Sequence, residues 1–413
     1  MIRNNNNIIA PASKSILQRV MLLSLLSESK IKLKNVTWCN DTLTVKKILE
    51  TLGSTVIINN NTVIIDSTNI NTNKKNINVG ESGLAVKIFS IYFAIFNNHV
   101  TLNGTGTLLN RNLSDIKTVL KKLEVKVTLT NNTLPLSIKG KIIPKNIQID
   151  AANSSQILSG LLMVLPKLNS DIKIKVENIK SIPYIDLTIK MLSDFGIKIK
   201  NNNYKEFFIP KKQIYLAPKI YYIDGDWSGA AFFCVFGAIS KPILIKNLDI
   251  NSNQADKKII DILQNVGATV AIKENEIKIS PNKLNNFEFN AENYPDLFPP
   301  LVCLASFCNK TSKITGVKRL FNKESNRAKT LQQEFSKINI SIKIIDNDMF
   351  ITPKKINFYS VEIDSHNDHR IAMAMATVAA ITKKNITIKN KDSIQKSYPF
   401  FYDDLSKISG INF

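Results

Sequence analysis

The chain has 413 residues and a formal net charge of +22, from 55 Lys and Arg against 33 Asp and Glu. That length suits two or three domains, and a hydrophobic content of 44% excludes a disordered basic tail. Apolar runs at 157–166 and 230–239 fall short of the roughly 18–20 residues that cross a bilayer. The first residues carry no apolar leader, so a cytoplasmic protein with no membrane partner is expected. Four cysteines (Cys39, Cys234, Cys303, Cys308) and three histidines make neither a disulfide framework nor a metal site. Cys303 and Cys308, within LVCLASFC, read as buried thiols.

In chain order, six helical patterns each end in a short turn and lead into an alternating strand: ILETLGSTVII, VLKKLEVKVTL, MLSDFGIKIK, ILQNVGATVAI, EFSKINISIKI and DLSKISGINF. The turn residues are Gly53, Glu124, Gly196, Gly267, Asn339 and Gly410, spaced by 71 or 72 residues. Gly and Asn favour the left-handed turn past a helix C-terminus; Glu124 departs from this and predicts a cap of another kind. Asn-rich loops at 58–62, 130–133 and 200–203 predict hairpins. Six copies of one α/β unit therefore fill the length. The sixth stops at Phe413, so the segment 1–10 is expected to supply its missing strand. The predicted partition is an N-terminal domain of residues 11–224 and a C-terminal domain of residues 1–10 with 225–413, three units each.

The chain holds 49 Lys but only six Arg. Lys, Asn and Ile are abundant throughout, so most of the charge reads as compositional drift. The few arginines then mark places that need a planar, bidentate donor. Arg19, Arg111, Arg327 and Arg370 fall in five segments that set polar side chains at the mouth of an apolar helix: PASKSILQR, NRN (110–112), NSSQIL, KESNR and NDHR. In the first, Ser13 is a predicted N-cap, and Ser15 and Arg19 lie four apart on one helix face. Lys323 and Arg327 are also four apart. Helix N-termini bind anions, and added cations and hydroxyls strengthen them. Together the segments predict an anion-binding cleft for phosphorylated substrates, with Glu324 and Asp296 as candidate acid and base. Taken one at a time, each segment reads as an ordinary cap or salt-bridged carboxylate.

PASKSILQR, NSSQILSGLLMVLP, SIPYIDLTIKMLSDFGI, KESNR, NDHRIAMA and QKSYPFFYDDL occur in the order found in the 5-enolpyruvylshikimate-3-phosphate synthase family, which the chain resembles from about Pro11 to Ser409. The resemblance implies two similar domains, each of three repeated α/β units in an inside-out α/β barrel, joined by a two-strand hinge. It implies transfer of the enolpyruvyl group of phosphoenolpyruvate to the 5-hydroxyl of shikimate 3-phosphate, with release of phosphate and no cofactor.

Carried over by motif, the resemblance implies that Lys14 contacts both substrates and shuttles a proton, and it implies the following roles as well. Ser15, Arg19, Ser154, Ser155, Ser181, Tyr184 and Lys323 bind shikimate 3-phosphate, and Gln156 lies between the substrates. Gly83, Arg111, Arg327, Arg370 and Lys396 serve phosphoenolpyruvate. The resemblance implies that Asp296 is the base, that Glu324 is the partner in methylene protonation, and that His369 lies near the reacting centre. Neither expected domain holds the complete set, so closure that brings Lys14, Arg111 and Gln156 to Asp296, Glu324, Arg327, Arg370 and Lys396 is expected. The sequence departs from the family at Glu81, Leu84, Arg319 and Asn326; Glu81 brings a negative charge near an anion site, and Asn326 removes one that would orient Arg327.

Three alternatives carry different expectations. The sister transferase acting on UDP-N-acetylglucosamine typically has Lys-Asn where this chain has Lys14-Ser15, and a Cys in a loop that here, around Leu108 to Asp115, has none. A nucleic-acid-binding protein would suit +22, but Lys is dispersed over all six repeats without interleaved aromatics. A decayed copy would have lost cleft residues. The expected partners are small-molecule substrates, with no specific nucleic acid, acting on a monomer.

Overall fold

The computed structural model describes residues 6–96, 98–152, 155–356 and 359–413. The chain divides into two compact units: Lys14–Ile223 form one, and the residues up to Ser13 with Asp224–Phe413 form the other. The first boundary lies after Ser13 and not after Ala10. Residues 11–13 are tied to the start of the C-terminal stretch: Asp226 N donates to Pro11 O at 2.7 Å and Ser13 N to Asp224 O at 2.8 Å, with Ala12 bridged to Gly225.

Strand β1 (Asn7–Ile9) comes first. Repeat one runs α1 (Lys14–Ser27), β2 (Lys30–Lys34), α2 (Asn40–Thr51), β3 (Thr55–Asn59) and β4 (Thr62–Asp66). Repeat two holds β5 (Asn76–Asn78), α3 (Gly83–Phe93), β6 (Asn98–Asn103), α4 (Ser114–Lys122), β7 (Lys126–Thr130) and β8 (Thr133–Gly140). Repeat three holds β9 (Ile147–Asp150), α5 (Ser155–Val164), β10 (Ile172–Glu177), α6 (Ile182–Asp194), β11 (Lys200–Asn202) and β12 (Glu206–Ile209). After β13 (Ile220–Tyr222), repeat four runs α7 (Trp227–Ile239), β14 (Ile243–Lys246), α8 (Ile259–Asn265), β15 (Thr269–Lys273) and β16 (Glu276–Ser280). Repeat five holds β17 (Glu288–Asn290), α9 (Phe298–Ala305), β18 (Ser312–Thr315), α10 (Arg327–Ser336), β19 (Ser341–Ile345) and β20 (Asp348–Thr352). Repeat six ends the chain with β21 (Ser360–Asp364), α11 (His369–Thr382), β22 (Asn385–Lys389) and α12 (Phe401–Ser409).

Each full sheet is one parallel edge strand followed by an antiparallel three-stranded set, as in β5-β6-β8-β7 and β17-β18-β20-β19. Repeats one and four take their edge strand from elsewhere in the chain. β13 pairs with β2, and β1 pairs with β14, both parallel. Each unit therefore contains the edge strand whose following helix belongs to the other. This corrects the expectation for the N-terminal segment: β1 completes the sheet of repeat four, and among the described residues the sixth sheet has two strands, β21-β22.

All six periodic turn residues adopt left-handed φ: Gly53 at 96°, Glu124 at 63°, Gly196 at 78°, Gly267 at 103°, Asn339 at 66° and Gly410 at 77°. Glu124 thus makes the same kind of turn, against the sequence expectation. In the first five, the residue after the turn donates back across it, as in Ser54 N to Leu49 O and Val125 N to Leu120 O, both 3.0 Å. These bonds satisfy the last helix carbonyls and set the conformation whatever the side chain. Asn60, Asn131, Asn132 and Asn203 take positive φ in the expected hairpin loops.

The first helices of the repeats are apolar on every side and lie buried at the centre of their own unit. In one unit α3 packs on α1 and α5; in the other α7, α9 and α11 pack on one another. α7 buries eleven of its residues and α11 twelve. Cys39, Cys234, Cys303 and Cys308 are buried free thiols. No helix among the described residues is long and apolar enough to cross a membrane.

Candidate functional site

Every central helix follows an edge strand, so the N-termini of the three helices in a unit come out at one end. In the unit Lys14–Ile223, that end carries Lys14, Ser15, Gly83, Ser155 and Gln156. Lys14 Nζ is 3.0 Å from Oδ2 of Asp41, a buried acid in the first turn of α2. Ser15 and Arg19 do share a face: Arg19 Nη1 donates to Ser15 Oγ at 2.6 Å, and its Nε to Thr188 Oγ1 at 3.0 Å. Thr188 in turn donates to Tyr184 O at 2.8 Å, one turn after the N-cap Ser181, which has φ 56°. Burial pulls the Arg19 guanidinium down to about 10, with Tyr184 opposing the shift. Ser13 stands before α1, yet its Oγ makes no hydrogen bond among the described residues, so the predicted side-chain cap is not made.

Gly83, Arg111 and Gln156 meet: a methyl group added at Gly83 would stand 2.8 Å from Arg111 Nη1 and 3.9 Å from Gln156 Oε1. Arg111 follows the 3₁₀ turn Gly106–Asn110. Glu81 accepts from Thr107 N at 3.4 Å and Thr107 Oγ1 at 3.2 Å, so its charge is directed into that turn. Lys87 Nζ pairs with Asp115 Oδ2 at 2.7 Å. Ser154 lies outside the described residues.

In the other unit, Asp296 stands in a 3₁₀ turn, Pro295–Leu297, immediately before α9. Its Oδ1 accepts from Arg327 Nη1 at 2.8 Å and its Oδ2 from Arg370 Nη2 at 3.1 Å, and Lys323 Nζ is 3.8 Å away. Burial alone would raise this carboxyl, but Arg370, Lys323 and Arg327 outweigh it and hold Asp296 well below the usual range. Arg327 is buried: besides Asp296 it donates to Glu324 Oε2 at 2.6 Å and to Asp368 Oδ2 at 2.8 Å. Burial would lower Arg327, and Asp368, Glu324 and Asp296 reverse the shift. Burial brings Lys323 down to about 8; Asp296 opposes this, while Arg327 and Arg319 add to it.

The spacing of Lys323 and Arg327 does not place them on one helix, since α10 begins at Arg327; Asp296 brings them together. The expected loss of orientation at Asn326 is also corrected. Asn326 caps α10, accepting from Lys329 N at 3.3 Å, and Asp368 orients Arg327 instead. Asp368, fully buried, also caps α11 through Arg370 N at 3.0 Å. His369 is buried, with Nδ1 3.9 Å from Asp368 Oδ1. Lys396 is buried at the end of the turn Lys391–Lys396, which packs on α11.

A family model described as EPSP synthase (3-phosphoshikimate 1-carboxyvinyltransferase) matches residues 3–405. The chain belongs to the EPSP synthase family. It is similar to the 3-phosphoshikimate 1-carboxyvinyltransferase of Clostridium novyi, 33% identical over 98% of this chain and 96% of the relative. The enzyme of that name from Clostridium perfringens is 33% identical over 97% and 95%. Among solved structures, EPSP synthase from Acinetobacter baumannii has a TM-score of 0.79 at 22% identity, covering 98% of this chain and 96% of that one. The enolpyruvyl transferase NikO from Streptomyces tendae has a TM-score of 0.77 at 14% identity, covering 97% and 94%. These structures share the fold of paired three-repeat units. Family membership makes the protein a transferase of the shikimate pathway.

Sequence reasoning for an EPSP synthase missed the acids that hold its cations. Asp41, Asp115 and Asp368 lie 27, 28 and 41 positions from their partners Lys14, Lys87 and Arg327. The available signal was the N-terminal placement of Asp41 and Asp115 in their helices and the position of Asp368 inside NDHR.

Proposed function

We propose that this chain joins phosphoenolpyruvate to shikimate 3-phosphate through a tetrahedral addition–elimination intermediate, with its residues in the following roles. The observation that supports them is the Asp296 cluster, an anionic carboxylate between two arginines with Lys323 and Glu324 alongside. Addition needs a base for the attacking 5-hydroxyl, an acid for the methylene carbon, and cations for two phosphates and a carboxylate. Asp296 takes the hydroxyl proton as the C–O bond forms, and Glu324 supplies the proton that turns the methylene into a methyl group. Loss of a methyl proton and of phosphate then restores the double bond in the product.

Arg111, Arg327, Arg370 and Lys396 hold phosphoenolpyruvate, which approaches the backbone at Gly83. Ser15, Arg19, Ser154, Ser155, Ser181, Tyr184 and Lys323 hold shikimate 3-phosphate, Gln156 lies between the substrates, Lys14 moves a proton between them, and His369 supports the reacting centre. With Arg370, Lys323 and Arg327 around it, Asp296 by itself is a poor base, because three cations favour its charged form. Phosphoenolpyruvate brings its own negative charge to Arg327 and Arg370 and cancels part of theirs. The carboxylate then becomes more basic when the substrate is in place.

We take the working form to be a cytoplasmic monomer, which light scattering on the purified protein tests for oligomeric state. The activity is tested by phosphate release from phosphoenolpyruvate with and without shikimate 3-phosphate. Release that requires both substrates is expected, and its absence refutes the reading. Release with UDP-N-acetylglucosamine in place of shikimate 3-phosphate would assign the chain to the sister reaction.

A further inference from the structure

Close to the Asp296 cluster is a carboxyl group to which the reaction assigns no role. Asp256, in the turn Ala255–Lys258, is 1% exposed. Ser228, in the first turn of α7, donates its hydroxyl to Asp256 Oδ2. Asp256 Oδ1 is buried and has no hydrogen-bond partner among the described residues. The charged groups facing Asp256 are Asp226, which caps α7, Asp296 before α9, and Arg370 at the start of α11. Its own turn adds no counter-charge: Lys257 Nζ donates to Ile250 O at 2.8 Å, and Lys258 pairs with Asp261 at 2.6 Å.

Among the described residues, two acids and one cation thus face a buried carboxyl that has one side-chain hydrogen bond. Burial first, then the charge of Asp296, push Asp256 up to about 7, while Arg370 pulls the other way. Carboxyls that share a cation at close quarters titrate as a pair. Asp296 has Arg327 and Lys323 in addition to Arg370, so it keeps the charge, and Asp256 keeps the proton.

We propose that Asp256 is a positioning residue of this anion site: protonated, it leaves Arg370 to Asp296 and the anionic substrate, and ionised, it competes with them. The kinetic consequence rests on the enolpyruvyl-transfer reading, whereas the titration does not. As pH rises through neutrality, ionised Asp256 places a buried negative charge near Arg370, and an anion bound there is repelled.

The test uses native protein, Asp256→Asn and Ser228→Ala, each labelled with carbon-13 at the aspartate carboxyls. On free native protein, NMR should show one aspartate titrating near neutrality. That titration should vanish in Asp256→Asn. It should move to higher pH in Ser228→Ala, because the lost hydroxyl favoured the charged form. In steady state, the native KM for phosphoenolpyruvate should rise about three- to tenfold from pH 6 to pH 8.5, with a smaller change in kcat. Asp256→Asn should flatten that rise. Lys323, which titrates in the same range, is present in all three proteins, so the comparison isolates Asp256. A neutral-range resonance that persists in Asp256→Asn overturns the proposal, as does an equal slope of KM with pH in native protein and Asp256→Asn. A native chain that titrates as expected but releases no phosphate refutes the enzymatic reading and leaves the carboxyl pair supported.

Discussion

Replacing Asp368 by Ala or by Asn separates two jobs performed by one carboxylate. It pairs with Arg327 through Nε at 2.8 Å and Nη2 at 3.3 Å, and it accepts Arg370 N as the cap of α11. Asp368→Ala leaves buried Arg327 without one of its three acids and α11 without a cap. Removing one partner of a buried pair costs about 3–5 kcal/mol, and losing a cap about 1 kcal/mol. In a unit of roughly 200 residues, the ion-pair loss alone lowers the melting transition by about 6–20 °C. Asp368→Asn keeps a capping oxygen, and Asp296 and Glu324 still neutralise Arg327. Its amide carries only one acceptor oxygen, where the two carboxylate oxygens accept from Arg327 Nε and Nη2, Arg370 N and Ser325 Oγ, so the cost falls to about 1–3 kcal/mol. The guanidinium that must receive phosphoenolpyruvate is no longer held in one orientation, and kcat/KM should fall about a hundredfold. Scanning calorimetry and steady-state kinetics read the two effects. An Asp368→Asn protein that melts with the native one and keeps its KM for phosphoenolpyruvate would refute the orienting role.

Other substitutions probe other parts of the architecture. Glu124→Gly should stabilise the protein by about 1 kcal/mol, because a non-glycine residue at φ 63° carries left-handed strain; chemical denaturation checks this. Thr188→Val removes the oxygen that accepts from Arg19 Nε and should raise KM for shikimate 3-phosphate with a smaller effect on kcat. Gly83→Ala drives a methyl to 2.8 Å from Arg111 Nη1, so KM for phosphoenolpyruvate should rise while shikimate 3-phosphate binding is retained in calorimetry. Lys323, lowered to about 8 by burial, loses its charge as pH rises through that value. KM for shikimate 3-phosphate should therefore climb above about pH 8 in the native protein and stay flat in Lys323→Gln.

The repeat could be read directly from the chain because a left-handed turn past a helix constrains one residue at a fixed offset. Gly53, Gly196, Gly267 and Gly410 advertise that need, and Asn339 meets it less strongly. At Glu124 the backbone bonds of its neighbours impose the same turn on a residue that gives no signal. The cations of the site were equally visible, since Arg is scarce here and sits at helix mouths. Their orientation was not, because Asp368, Asp41 and Asp256 are ordinary acids in sequence and gain meaning only from what lies across from them.

By itself, the sequence determined the α/β unit, its six-fold recurrence near 71 residues, the set of cationic and hydroxyl residues, and the family. These follow from local periodicity, local turn stereochemistry and motif order, all written over short distances in the chain. Only the tertiary structure decided that β1 completes repeat four and β13 repeat one, since a three-residue strand carries no code for its partner. It also decided that Asp296 holds Arg327 and Arg370 together, and that Asp256 lies beside that pair as a buried acid. Those facts depend on Coulomb interactions and burial between residues tens of positions apart, and only the packed central helices bring them within reach.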